Sequence, residues 1–299
     1  MKKYDLVIVG AGPSGYAAAM RALDFKKKVL LVEKNRVGGA GVTNGALSSK
    51  TWWEISRETQ KLNQHLKRFN LKTPDVNFQE IKSEVKNAVE ERKNLLYQHM
   101  DLLQESNFAD LLEFKIGSAK LLNNHEVEVT SKEGKEVVET DYIILATGSR
   151  PRKLPNIPID EKIILTSDGI ENLDDFPESM VILGAGVIGC EFATIFSGFG
   201  KTKVNLIDKG DRILPFEDDD VVDVIERNME SNGVHIHRNS HLTRMDIVNG
   251  KVEYELEYTD GSKKIYTVDK ALVSVGRVPN YENLWDKGAL DVTLTNRGI

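Results

Sequence analysis

Cys190 is the only cysteine in 299 residues. One thiol closes no intrachain disulfide and builds no cysteine-based metal site. The six histidines do not cluster at helical metal-ligand spacing, so no metal is expected. "HIH" at 235–237 puts two rings on one face of a predicted strand and reads as an ordinary half-exposed pair. A basic face is missing too. The formal net charge is −6, and no run of lysine and arginine is long enough to follow a phosphate backbone, which excludes nucleic acid as a partner. "FKKKV" at 25–29 is short and reads as a solvated helix end leading into a strand. No segment approaches the roughly 18–20 apolar residues of a membrane span. The first apolar run, "LVIVG" from Leu6, is too early and too short for a secretory signal. No membrane partner and a cytoplasmic location are therefore the expectation. The acidic run "EDDDVVD" at 217–223 reads as a solvated helix start. The remaining composition, 40% hydrophobic and 29% charged, suits a globular chain long enough for two cores.

The chain does contain one nucleotide-binding pattern twice. An apolar strand at 6–9 runs into Gly10, Gly12 and Gly15 at G-x-G-x-x-G spacing. A helix of small residues follows, then a second apolar strand at 29–32 that ends in Glu33. Gly10 permits the tight turn, Gly12 lets a pyrophosphate approach the backbone, and Gly15 lets the helix lie close to the strand. The positive helix end then faces the phosphates, and Glu33, 18 positions beyond Gly15, is placed to accept hydrogen bonds from a ribose. The pattern returns at Gly184, Gly186 and Gly189, 174 residues on, with its second strand ending in Asp208. That distance is too wide for a solenoid, so two dinucleotide-binding domains are predicted. A carboxylate at Asp208 accepts from a ribose 2′-hydroxyl and repels a 2′-phosphate, favouring NAD over NADP despite the nearby Lys209 and Arg212. "DYIILATGSRP" (141–151) and "DKALVSVGRVPN" (269–280) are strands that break at Gly148 and Gly276, where open α/β sheets bind ligands. Residues 51–115 read as helical, and hairpins are predicted over 120–140, around Glu133-Gly134, and over 251–268.

GAGPSGYAAA, the spacing GG-x10-K, ATGSRP, GAGVIGCEFA and VGRVPN stand in the order and at the spacing of the pyridine nucleotide–disulfide oxidoreductases, which the chain resembles from Tyr4 to Ile299. The resemblance implies an α/β fold of two Rossmann-like dinucleotide-binding domains of the glutathione-reductase kind, the second inserted in the first. Residues 1–150 would begin an FAD domain, 151–273 form an NAD domain, and 274–299 return to the first. It implies FAD held by Gly10, Gly12, Pro13, Ser14, Gly15, Glu33, Lys34, Gly39, Ala40, Lys50, Ala119, Ala146, Thr147, Gly148 and Ser149. NAD(H) would be held by Gly184, Gly186, Val187, Ile188, Gly189, Glu191, Asp208, Gly276 and Arg277. Lys50 would lie beside the flavin and pair with Glu191, which reaches toward the nicotinamide; these two are the candidate catalytic residues. Trp52 and Trp53 could cover a flavin, but read better as helix core.

The departures are as informative. The family places its redox dithiol at the positions of Gly41 and Ala46, and glycine and alanine exchange no disulfide. Cys190 cannot replace them, because it lies in the second pattern and reads as a small buried hydrophobe. Thr43 and Ser48 depart as well. The family continues past the position of Ile299 with a ribityl-binding Gly-Asp and a dimer-forming domain, so its homodimer is not expected of the residues given. The reading is an NADH-dependent FAD oxidoreductase that passes electrons directly to a small-molecule acceptor such as a quinone, a dye or dioxygen. The alternative is a non-catalytic FAD- and NAD-binding module, a relic of such an enzyme.

Overall fold

The computed structural model describes residues 1–286, 288–290 and 292–293. Residues 294–299, the end of the last expected stretch, lie outside the described residues. Strand and helix alternate from the start: β1 (Lys2–Val9), α1 (Pro13–Asp24), β2 (Val29–Glu33), the single turn α2 (Gly39–Val42), α3 (Ala46–Arg68) and α4 (Phe78–Gln104). Three strands follow, β3 (Leu112–Leu121), β4 (Glu126–Ser131) and β5 (Gly134–Leu145), then the short β6 (Ser149–Pro151) and β7 (Ile164–Thr166). Next come β8 (Ser179–Leu183), α5 (Val187–Gly198), β9 (Lys203–Ile207), α6 (Asp219–Ser231) and β10 (His235–His237). The order ends with β11 (Ser240–Val248), β12 (Lys251–Tyr258), β13 (Lys263–Val268), β14 (Lys270–Val273) and β15 (Arg277–Pro279). Two compact units result. Unit 1 holds Met1–Leu47, Asn87–Arg150 and Val278–Ile299; unit 2 holds Ser48–Lys86 and Pro151–Arg277.

In unit 1, β3, β2, β1 and β5 lie parallel in that order, and the antiparallel β4 joins β3 to β5 and closes a barrel. All five residues of β2 are buried, as a strand covered on both faces requires. Alternate side chains sort the core into two layers. Val29 and Leu31 pack with Ala19, Leu23, Leu96 and Met100, whereas Leu30 and Val32 pack with Tyr4, Val127, Val129 and Val138 inside the barrel. The expected hairpin is present, with Ser131 paired to Gly134.

Unit 2 has a parallel sheet in the order β10-β9-β8-β14-β7 and an antiparallel meander β11-β12-β13. Met180 and Ile182 face a core with Phe192, Phe196 and Phe199, while Val181 and Leu183 face Tyr254 and Leu256 of the meander. The histidine pair corrects the sequence reading. His235 is exposed, but His237 is only 4% exposed. Its Nε2 lies 3.3 Å from Asn205 Oδ1, and Nδ1 lies 2.9 Å from the Tyr258 hydroxyl, itself 2.8 Å from that of Tyr266. An amide oxygen only accepts, so Nε2 carries the hydrogen, Tyr258 donates to Nδ1, and Tyr266 donates to Tyr258. The acidic run becomes the start of α6, where the Asp218 side chain caps the backbone N–H of Asp220.

Candidate dinucleotide sites

In unit 1 the turn after β1 is built on Gly10, at φ +104°, where an added Cβ would come within 2.3 Å of the Ala146 carbonyl oxygen. Gly15 has the Gly10 carbonyl oxygen 1.8 Å from its missing Cβ, so α1 rests directly on the turn. Gly12 forms the N-cap of α1 with Pro13 next, and no side chain caps the first-turn N–H groups. Those donors, together with the helix dipole, suit an anion. Pro13 and Ser14 are exposed. The Glu33 carboxylate, 8% exposed, does not point away from the loop. It accepts from the backbone N–H of Ala11 at 2.6 Å and of Asn35 at 2.8 Å. Lys34 is exposed beside it.

The segment that lacks the dithiol lies against this loop. Gly38 N–H donates to the Ala11 carbonyl at 2.8 Å, Gly39 approaches Gly12, and an added Cβ at Gly41 would come within 2.4 Å of Pro13 Cγ. Ala40 and Ala46 are exposed. Further along, Asn280 donates from its backbone to the Gly148 carbonyl and from its side chain to the Thr147 carbonyl, each at 3.0 Å, and Arg150 pairs with Glu282 at 2.6 Å. The turn at 146–149 is thereby tied to residues 280–282. A Cβ at Gly148 would meet nothing within 4 Å. Ala119 is buried in the barrel cluster with Val9 and Val32.

Unit 2 repeats the loop closely. Gly184 is at φ +100°, with the Ser274 carbonyl oxygen 2.7 Å from its missing Cβ. Gly186 caps α5 with φ −77° and ψ −174°, against −70° and −176° at Gly12. Gly189 stands 1.9 Å from the Gly184 carbonyl oxygen by the same measure, and Gly186 faces open space. Val187 is exposed, and Ile188 packs against the core. Asp208 copies Glu33: it accepts from Ala185 N–H at 2.7 Å and from Gly210 N–H at 2.9 Å. Cys190 is 5% exposed, and burial, with Asp208 adding to it, pushes the thiol up to about 12. Such a thiol is neutral at physiological pH and a poor nucleophile.

α3 packs on α5 inside unit 2. Ser56 Oγ donates to the Ile195 carbonyl at 2.7 Å, in space that Gly198 leaves open. This packing brings together Ser49, Lys50 and Glu191. Ser49 Oγ donates to Glu191 Oε1 at 3.0 Å, and Lys50 Nζ pairs with the same oxygen. Lys50 is 64% exposed and Glu191 19%. An ion pair this open contributes less than about 1 kcal/mol to stability. Trp52 is core, 5.4 Å from Phe78 and 6.1 Å from Phe199 between ring centroids. Trp53 is half-exposed, under the Arg57 guanidinium. Gly276 also faces open space, and Arg277 Nη1 lies 3.5 Å from Asp168 Oδ1. Sequence reading missed Asp168, because only the sheet order brings residues 168 and 277 together. Among the described residues, no group of three or more His, Cys, Asp or Glu side chains is placed to hold a metal, and no helix is long and apolar enough to cross a membrane.

Residues 4–299 match the family described as pyridine nucleotide-disulphide oxidoreductase. A dihydrolipoyl dehydrogenase of Bacillus subtilis is 32% identical over 284 residues, which are 93% of this chain and 59% of that protein. A soluble pyridine nucleotide transhydrogenase of Mycobacterium tuberculosis is 31% identical over 83% of this chain and 52% of its own length. Among solved structures, LpdA of Mycobacterium tuberculosis superposes with a TM-score of 0.85 at 25% identity, over 99% of this chain and 63% of that one. A Cu(II) complex of a variant of the HOCl-induced flavoprotein disulfide reductase RclA of Escherichia coli gives 0.81 at 26% identity, over 100% and 62%. The chain thus spans about 60% of the length of the dihydrolipoyl dehydrogenase and of these two structures.

Proposed function

We propose that this chain, which belongs to the pyridine nucleotide-disulphide oxidoreductase family, carries out hydride transfer from NADH to FAD and passes the electrons on without a redox-active disulfide. The family's cofactors are FAD and a pyridine nucleotide. The observation that carries the reading is the contrast between what is kept and what is gone. Ser49, Lys50 and Glu191 remain together one turn into α5, while glycine and alanine stand where a dithiol would have to be. The pair adds too little to stability for a scaffold to need it.

The residues fit both cofactors. In unit 1 the uncapped first turn of α1 and the glycines beside it would take the pyrophosphate of FAD, with Glu33 at the adenosine ribose. In unit 2 the uncapped first turn of α5 and Asp208 would take NADH. FAD, when bound, supplies the two-electron redox centre. The chain's own residues bind and orient. Glu191 fixes the Lys50 ammonium by sharing its carboxylate oxygen between that ammonium and the Ser49 hydroxyl. By resemblance to the family, Lys50 would offset negative charge at the flavin edge and Glu191 would position the nicotinamide. With no cysteine at positions 41 and 46 to receive electrons, the acceptor is a small oxidant such as a quinone, a dye or dioxygen.

An anaerobic NADH titration of the FAD-loaded protein tests this. Bleaching of the flavin by one equivalent, with no long-wavelength thiolate–flavin band, is the expected result. Bound FAD that NADH leaves oxidised would instead favour a nucleotide-binding module without catalysis.

A further inference from the structure

The parallel sheet of unit 2 reverses its strand order at β8. The chain leaves β8 through α5 toward β9 and β10 on one side, whereas β14 and β7 lie on the other. In open α/β sheets the ligand crevice opens outside the carboxyl ends at this switch point, with one half of a dinucleotide on each side. Asp208 directly follows β9, so the adenosine half belongs over β9. The nicotinamide half then belongs over the exits of β14 and β7.

Those two exits carry Arg277 and Asp168. β14 and β7 pair in register, Val273 opposite Thr166, which brings together two side chains 109 residues apart. Arg277 Nη1 stands 3.5 Å from Asp168 Oδ1, with the side chains 27% and 33% exposed. Asp168 Oδ1 is itself buried and accepts no hydrogen bond from the described residues. Burial raises the Asp168 carboxyl above the usual carboxylate range, and Arg277 acts against that shift. The acid is held from behind. Its backbone N–H donates to Thr166 Oγ1 at 3.3 Å, and Glu161 accepts from the Thr166 N–H and hydroxyl, each at 2.9 Å. Gly276 and Gly186 leave the backbone on either wall of the crevice open.

We infer that Asp168 is a positioning residue: it fixes the Arg277 guanidinium so that this side of the crevice grips the nicotinamide half of the pyridine nucleotide. The inference rests on the reading of unit 2 as the pyridine-nucleotide unit. A guanidinium is a rigid planar array of donors, and an anchoring carboxylate sets its direction. Without the carboxylate the same arginine loses this charged anchor, and affinity falls by the added cost of ordering it when ligand binds.

The test compares NADH with ADP, which keeps the adenosine and phosphates and lacks the nicotinamide. Asp168→Asn preserves the shape and removes the charge. Binding of NADH to the FAD-loaded protein should weaken at least tenfold, while ADP binding stays within about twofold, which also serves as the folding control. In flavin reduction the apparent KM for NADH should rise more than the limiting rate falls. Arg277→Lys added to Asp168→Asn should bring little further loss, since both changes act through one guanidinium. Equal weakening of NADH and ADP, or unchanged NADH affinity, would overturn the inference. Wild-type protein that binds neither would instead remove the premise about unit 2.

Discussion

His237 is a buried histidine whose ring is held by a tyrosine hydroxyl and an amide oxygen. Burial pulls its pKa down to about 4 from the ordinary value near 6.5, and the neighbouring His235 and Lys264 push the same way. Tyr258, Tyr266 and Asn205 complete the surroundings without a compensating negative charge. The unfolded chain therefore gains a proton near pH 6.5 while the folded chain stays neutral down to about 4. Stability should fall as pH drops through that window, by at most about 3 kcal/mol from this group. Urea midpoints between pH 7 and 4.5 measure it, and His237→Gln should flatten the slope. An unchanged slope in that variant would assign the acid sensitivity elsewhere. Nothing in "HIH" distinguishes the two rings. Burial of the second is decided by Tyr258 and Tyr266, twenty and more positions away, when the meander closes over β10.

Secondary-structure elements carry the sequence patterns more faithfully. Both glycine loops, their helices and their terminal carboxylates stand where the G-x-G-x-x-G spacing predicts, since turn, helix start and strand end are all local events. What the spacing does not contain is how α2 seats on the first loop. Gly41 has become a packing position against the Pro13 ring, with no room for a side chain. Gly41→Ala should destabilise the protein by about 1–3 kcal/mol, because a proline ring has no rotamer by which to yield. Thermal melts with FAD present and absent would check this; a neutral effect would mean that α2 shifts freely. For the same reason, Gly41→Cys with Ala46→Cys should not restore disulfide reduction merely by returning two sulfurs.

At the scale of the whole molecule, the chain passes between the two units four times, after Leu47, Lys86, Arg150 and Arg277. Unit 2 consequently takes Trp52, Phe78, Ile81 and Val85 from a segment far upstream of its sheet, and they share one core with Phe196 and Phe199. A fragment of residues 151–277 should therefore fail to form a rigid core, with weak near-UV dichroism and strong dye binding. In the full chain Trp52→Ala should cost about 3–5 kcal/mol. A fragment that melts cooperatively at the temperature of the whole protein would contradict that account. The sequence by itself determined the two glycine loops, the α/β class and the absence of cysteine at positions 41 and 46, because each is written in a short span or in residue identity, whereas Lys50 and Glu191 were singled out by the resemblance to the family. Only the tertiary structure decided that Glu33 and Asp208 turn back onto their own loops, that Trp53 stays at the surface while Trp52 is core, that His237 is buried and that Asp168 meets Arg277. Each of these depends on which strands and helices become neighbours, and that follows from packing apolar faces drawn from distant parts of the chain.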